Sequence, residues 1–306
     1  MGKFQQKEFK VPKGLKNIGT YKNLMNQVNK VGDHIRQGSF ETKQRYHEAV
    51  SRFTRHLADQ FNMQKFTNIS DKHLQSYIDH MKEKGLSAST IKTELSAIRM
   101  YHDATPFAKH QLSGNEKFEL ERRSFGGVDR TWSENEYKGM IGLAKEFGRH
   151  DVANILTLGR EVGLRIHEVT RLDHATASKA IQTGFLHVKG KGGLERDVPL
   201  RPVATEVLRE AIQRVDRGNK LFVDMRNGQK THQVIGSIQD FIYNHRDKFQ
   251  TDNKDSDMTF HGLRHSYARE EYMQRIDREG MQEEAARVEV SKLLGHSRDD
   301  VTRIYI

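Results

Sequence analysis

Apolar residues recur at helical spacing along the first hundred positions. Leu24, Val28, Val31 and Ile35 form one stripe, and Tyr46, Val50, Phe53 and Leu57 form the next. Ser70 with Asp71 offers an N-cap for a third helix carrying Leu74, Ile78 and Met81, which stops at Gly85. A fourth helix opens at Ser87 or Ser89 and buries Ile91, Leu95 and Ile98. The pattern predicts a small all-α bundle over residues 18–105. Pro106, Gly114, Gly126 and Gly127 then interrupt the period, so residues 106–131 read as a linker.

From Trp132 a second pattern begins. Ser133 followed by Glu136 is a capping-box spacing. The run DVANILTLGREVGLRIHEVTRLD predicts a buried helix, a turn at Gly163, and another helix with Ile166, Val169 and Leu172 inward. Between Thr183 and Leu200 the period drops to two around the turn residues GKGG, the signature of a β-hairpin with Lys191 at its tip. Residues 201–250 return to helix, with Leu221 and Phe222 as a short strand. The fold class expected is mainly α with a small β-hairpin (α+β). It divides into a basic arm (1–17), a helical domain (18–105), the linker (106–131) and a second domain (132–306).

Charge sharpens this division. The 306 residues hold 51 Lys and Arg against 41 Asp and Glu, a net +10. Residues 1–131 carry 23 basic and 14 acidic side chains, so +9 of that total lies there. A surplus of this kind suits a polyanion. Basic positions between the apolar stripes, Lys43, Arg45, Lys92 and Arg99 among them, are the candidates for a phosphate-contacting face, with double-stranded DNA as the expected partner. The absence of cysteine excludes disulfides and thiolate metal sites. No signal-like or membrane-spanning run is present, so a cytoplasmic protein is expected, with no membrane partner.

Candidate chemistry gathers near the C-terminus. HGLRH at 261–265 places His261 and Arg264 close together, and His296 and Tyr305 follow. Arginine suits bidentate pairing with phosphate oxygens, histidine suits proton handling, and tyrosine is a possible nucleophile. None of these is a metal carboxylate. Such a set points to phosphoryl transfer on nucleic acid through a covalent phosphotyrosine, with no metal and no cofactor.

Five separated pieces stand in order: GLRIHEVTRLD (163–173), VKGKGGLERDVPL (188–200), HGLRH, LLGH (293–296), and Tyr305 nine residues after His296. Their order and spacing resemble the tyrosine recombinase (phage integrase) family. SASTIKTELSAIR (87–99) looks like the last helix of that family's core-binding domain. The resemblance implies an all-α core-binding bundle followed by a catalytic domain. It implies that Arg165 and Arg264 straddle the scissile phosphate, with Glu168 orienting Arg165. Lys191 would protonate the leaving 5′ oxygen, with Lys189 as its rival on the same hairpin. His261 would take or relay the nucleophile's proton, His296 would hydrogen-bond the phosphate, and Tyr305 would attack phosphorus. Tyr267 and Tyr272 fall too close to HGLRH to match the nucleophile, and His265 and His245 read as structural.

The implied function is site-specific DNA recombination through a 3′-phosphotyrosine, by a homotetramer on two DNA sites. The reading is a phage or mobile-element integrase, prokaryotic and associated with the nucleoid, with accessory DNA-bending or directionality proteins as further partners. The alternatives are a chromosome or plasmid dimer resolvase, a type IB topoisomerase, or a catalytically silent DNA-binding regulator. Two features depart from the family pattern. The interval from Arg264 to His296 is long, which predicts an added turn or helix extension. No docking tail follows Ile306, so the contact between protomers is expected elsewhere or on a removed segment.

Overall fold

The apolar stripes of the first hundred residues fold into α1 (Ile18–Gly32), α2 (Phe40–Phe61), α3 (Asp71–Glu83) and α4 (Ala88–Asp103). Leu24, Val28, Val50, Phe53, Leu57, Leu74, Ile78, Leu95 and Ile98 are fully buried in one core. Ser70 caps α3 through a box in which its backbone N–H donates to His73 Nδ1 at 3.0 Å. Ser87 caps α4 by accepting from Thr90 N at 3.3 Å. Inside this bundle the Glu94 carboxylate takes Arg52 Nη2 at 2.5 Å and the Tyr77 hydroxyl at 3.2 Å, which satisfies a buried charge.

The computed structural model describes residues 11–38, 40–122, 128–190, 193–251, 256–296, 303 and 305, and the chain divides into two units, Met1–Ser124 and Phe125–Ile306. Two expected boundaries differ from this. Of the arm expected over 1–17, residues 11–17 are fastened to the bundle: Leu15 is buried, Lys16 N donates to Asp59 Oδ1 at 2.9 Å, and Asn17 Nδ2 donates to Ala58 O at 2.9 Å. Much of the expected linker also belongs to the first unit. Leu112 and Phe118 enter its core, while Asp71 accepts from Ser113 Oγ at 2.6 Å and pairs with Lys117 at 2.7 Å. Glycine and proline break a helical period without removing the apolar side chains that reach back to a core, and here two such side chains decide the packing.

The second unit contains α5 (Glu134–Glu146), α6 (His150–Glu161), α7 (Ile166–Val169), α8 (His174–Thr183), β1 (Phe185–Lys189), β2 (Glu195–Pro199), α9 (Pro202–Gln213), α10 (Thr231–His245), α11 (Phe260–Asp277) and α12 (Glu283–Leu294). The hairpin forms as the alternation predicts, antiparallel, with Leu186 opposite Val198 and Val188 opposite Arg196. Ser133 and Glu136 make the expected capping box, with Ser133 N to Glu136 Oε2 at 2.7 Å. The helix expected after Gly163 is a single turn, α7. The strand expected at Leu221 and Phe222 reduces to one isolated bridge between Asp173 and Lys220, beside a Leu221 N to Leu172 O bond of 2.9 Å. The long Arg264–His296 interval is filled by the continuation of α11 to Asp277 and by α12. Among the described residues no helix is long and apolar enough to cross a membrane.

Helix α11 is the spine of this unit. It packs on α6, where a Cβ at Gly159 would meet the Phe260 ring at 2.7 Å. Trp132 is pinned to the same helix: its N–H donates to Ser266 Oγ at 2.8 Å and its indole N–H to Thr259 O at 3.0 Å. This crossing explains the glycine in HGLRH, because a Cβ at Gly262 would lie 2.4 Å from Arg130 O and 2.7 Å from the Trp132 ring. Gly262→Ala is therefore expected to destabilise the unit by about 1–3 kcal/mol, read as an earlier midpoint in urea unfolding followed by tryptophan emission.

Candidate active site

Arg165 sits at the start of α7, directly after the turn at Gly163, whose φ of +63° suits glycine. A Cβ at Gly163 would also strike the Tyr267 ring at 2.3 Å. Glu168 closes the turn. Its Oε2 accepts from Arg165 N at 2.9 Å and its Oε1 from Arg165 Nη1 at 3.0 Å. The same carboxylate takes Arg196 in bidentate fashion, Nη1 to Oε1 at 3.1 Å and Nη2 to Oε2 at 2.8 Å. Burial opposes the charged form of Glu168, but the hydrogen bond and charge of Arg196, with the Arg165 amide and the Arg264 charge, hold it down at about 2. The carboxylate is thus ionised and rigid at neutral pH.

Arg264 rises from the second turn of α11 and is fully buried, 0% exposed. Its Nη1 donates to the Gly163 carbonyl at 2.5 Å, its Nη2 donates to the Leu294 carbonyl, and His296 Nε2 lies 3.4 Å from Nη2. Burial and the neighbouring Arg165 lower its pKa to about 10, so it stays charged at neutral pH. His296 follows Gly295, which ends α12 in the left-handed region at φ +63°. Burial, then the guanidiniums of Arg264, Arg165 and Arg196, push His296 down to about 4.

The Tyr305 ring lies over this cluster, 5.9 Å from the Arg264 guanidinium carbon and only 8% exposed. Its hydroxyl is 3.4 Å from His261 Nε2. Three imidazoles surround the ring, with centroid separations of 4.3 Å to His265, 5.3 Å to His296 and 5.6 Å to His261. His261 keeps part of its surface open to solvent. Desolvation among its neighbours and the charges of Arg264, Arg165 and Arg130 still lower it to about 4. Burial, then His261 and Arg130, lower His265 to about 3. All three histidines are neutral at pH 7, so His261 stands ready to accept a proton from a phenol beside it.

The structure therefore brings Arg165, Glu168, His261, Arg264, His296 and Tyr305 together from four separate stretches of chain. Lys191 lies outside the described residues. Its rival Lys189 is exposed on β1, with Nζ 3.5 Å from Glu195 Oε1. Tyr267 is buried, and burial followed by the Glu271 charge raises its pKa. That hydroxyl is ill placed for attack on a large substrate. Tyr272 packs at the edge of the core, and His245 packs against Phe147 and Phe241.

Sequence reasoning missed Arg196, for which the one available signal was an arginine at an inward position of an alternating strand. Among the suggested DNA contacts, Arg45 is exposed and Lys43 half-buried. Lys92 donates to Glu121 O at 2.6 Å. Arg99 is half-buried: its Nε donates to Ser113 O at 2.8 Å and its Nη1 to Asn115 Oδ1 at 2.8 Å, which ties residues 113–115 to α4.

Both the fold and the sequence have known counterparts. A lambda integrase tetramer solved on a Holliday junction superposes with a TM-score of 0.64 at 16% identity, over 92% of this chain and 76% of that one. Residues 131–306 match the phage integrase family, and residues 34–107 match the N-terminal SAM-like domain of phage integrases. The chain belongs to the phage integrase family, the tyrosine recombinases. Among curated relatives, tyrosine recombinase XerC of Natranaerobius thermophilus is 24% identical over 285 residues, covering 87% of this chain and 88% of the relative. Tyrosine recombinase XerD of Oceanobacillus iheyensis is 24% identical over 280 residues, covering 87% of each.

Proposed function

We propose that this tyrosine recombinase cuts and rejoins DNA at specific sites through a 3′-phosphotyrosine, as an integrase of a phage or mobile element. The observation that carries the reading is the Tyr305 hydroxyl 3.4 Å from a neutral His261 Nε2, with its ring against Arg264. Tyr305 Oη attacks phosphorus while its proton passes to His261. Arg165 and Arg264 hold the two non-bridging oxygens and stabilise the charge that builds on them in the pentacoordinate transition state. His296 donates a further hydrogen bond to the phosphate. The P–O5′ bond breaks, and Lys191 supplies the proton that leaves with the 5′ oxygen as a hydroxyl.

The phosphodiester energy is retained in the tyrosyl ester, so a 5′ hydroxyl from a second duplex reverses the step without ATP or a metal ion. Two duplexes require several active sites, and a homotetramer on two DNA sites in the cytoplasm is the assembly proposed. Accessory DNA-bending or directionality proteins would act outside this chain. The surplus of +9 in residues 1–131 supports duplex binding by the first unit, with Lys43, Arg45 and Lys92 as its phosphate contacts. The XerC and XerD names of the relatives keep a dimer resolvase as a second reading within the same chemistry.

The test uses a duplex site selected from a random-sequence pool by the purified chain, placed once or twice in a supercoiled plasmid. Recombination that needs both copies, with protein attached to the 3′ side of the break, is expected. Relaxation of any plasmid without site dependence would mark a type IB topoisomerase instead, and binding with no covalent adduct would mark a silent regulator.

A further inference from the structure

Arg196 occupies the inward position of β2 opposite Val188, where alternation alone calls for an apolar side chain. All its nitrogens are committed. Nη1 and Nη2 grip the Glu168 carboxylate at 3.1 and 2.8 Å, and Nε donates to the Leu293 carbonyl at 2.8 Å. The Glu168 it grips is the group that holds both the backbone and the guanidinium of Arg165. The Leu293 carbonyl belongs to the last turn of α12, which delivers His296 and whose Leu294 carbonyl accepts from Arg264. A Cβ at Gly295 would lie 3.1 Å from Arg196 Cδ, so the turn before His296 also rests on the arginine's stem.

We propose that Arg196 is a positioning residue for DNA cleavage, setting Arg165 through Glu168 and the His296 turn through Leu293, so that one side chain aligns both sides of the phosphate seat. This deepens the function proposed above and rests on it. An arginine is needed because its planar fork reaches a carboxylate and a carbonyl at once, which a lysine cannot do.

The probe is a nicked suicide duplex carrying the pool-selected site, scored for the rate of covalent adduct formation, with duplex affinity and urea unfolding measured alongside. Arg196→Met is expected to slow cleavage at least tenfold with affinity for the duplex unchanged, and Arg196→Lys to restore part of the rate. The charges facing Glu168 are Arg165 on its own turn, Arg196 from β2 and Arg264 from α11. Removing Arg196 lets the Glu168 pKa rise, so cleavage by Arg196→Met should gain a new increase with pH that wild type lacks. Glu168→Gln combined with Arg196→Met should cost no more than the worse single change.

Should Arg196→Met fail to fold because a buried carboxylate keeps too few partners, the double variant, which removes that charge as well, is compared with Glu168→Gln alone. A further drop, from loss of the Leu293 contact, supports the proposal, and equal rates overturn it. Wild-type cleavage rates in Arg196→Met, or additive losses in the pair, also overturn it while leaving the recombinase reading intact. Failure of the wild-type chain to form any adduct overturns both.

Discussion

Replacing Tyr305 with phenylalanine is expected to abolish covalent attachment to DNA while leaving the fold and DNA binding as they are. The ring makes its contacts with His265, His296 and His261 through its faces and edges, and phenylalanine keeps all of them. Only the hydroxyl is lost, whose recorded partner is His261 Nε2 at 3.4 Å. Among the described residues the Tyr267 hydroxyl is no substitute, since it is buried. The measurement is a denaturing gel of protein incubated with end-labelled suicide duplex: a slow band for wild type, none for Tyr305→Phe, and equal gel-shift affinity for both. A residual adduct in the variant would transfer the role to another side chain.

Changing Arg264 to methionine should fail in two ways at once. Its guanidinium satisfies the carbonyls of Gly163 and Leu294, and both lie where water does not reach the arginine. Leaving two buried acceptors unpaired costs about 1–3 kcal/mol each. Cleavage falls as well, by a factor on the order of a thousand for loss of one preorganised donor to developing charge. Arg264→Lys keeps a positive charge but cannot span both carbonyls, so it should unfold later than methionine in urea yet remain far below wild type in cleavage. Urea midpoints and single-turnover adduct rates separate the two losses. A methionine variant as stable as wild type would contradict the bridging role of this arginine.

These expectations were largely legible in sequence where chemistry is local or the spacing distinctive. HGLRH lies on one helix turn, Glu168 lies three residues from Arg165, and Gly163 has a turn's signature. The bundle stripes, the Ser133 capping box and the hairpin were readable for the same reason, because each depends on residues near one another in the chain. What escaped notice depends on long-range packing. Arg196 is joined to Glu168 across 28 positions and to Leu293 across 97, and nothing beside it in sequence announces either partner. Arg99 looked like one more surface cation, and its bonds to Ser113 and Asn115 come only with the fold. Leu112 and Phe118 sit among proline and glycine, which hid their attachment to the first unit. The lowered pKa values of the three histidines also arise only once burial and neighbouring charges converge on them.

The chain has a single tryptophan, and it is Trp132, hydrogen-bonded to the first two turns of the helix that bears His261 and Arg264. Nature has in effect installed a fluorophore on the catalytic spine. Its indole emission belongs to the second unit alone, so a titration with unlabelled duplex can report events at that helix without dye or tag, while the first unit stays optically silent at the same wavelength.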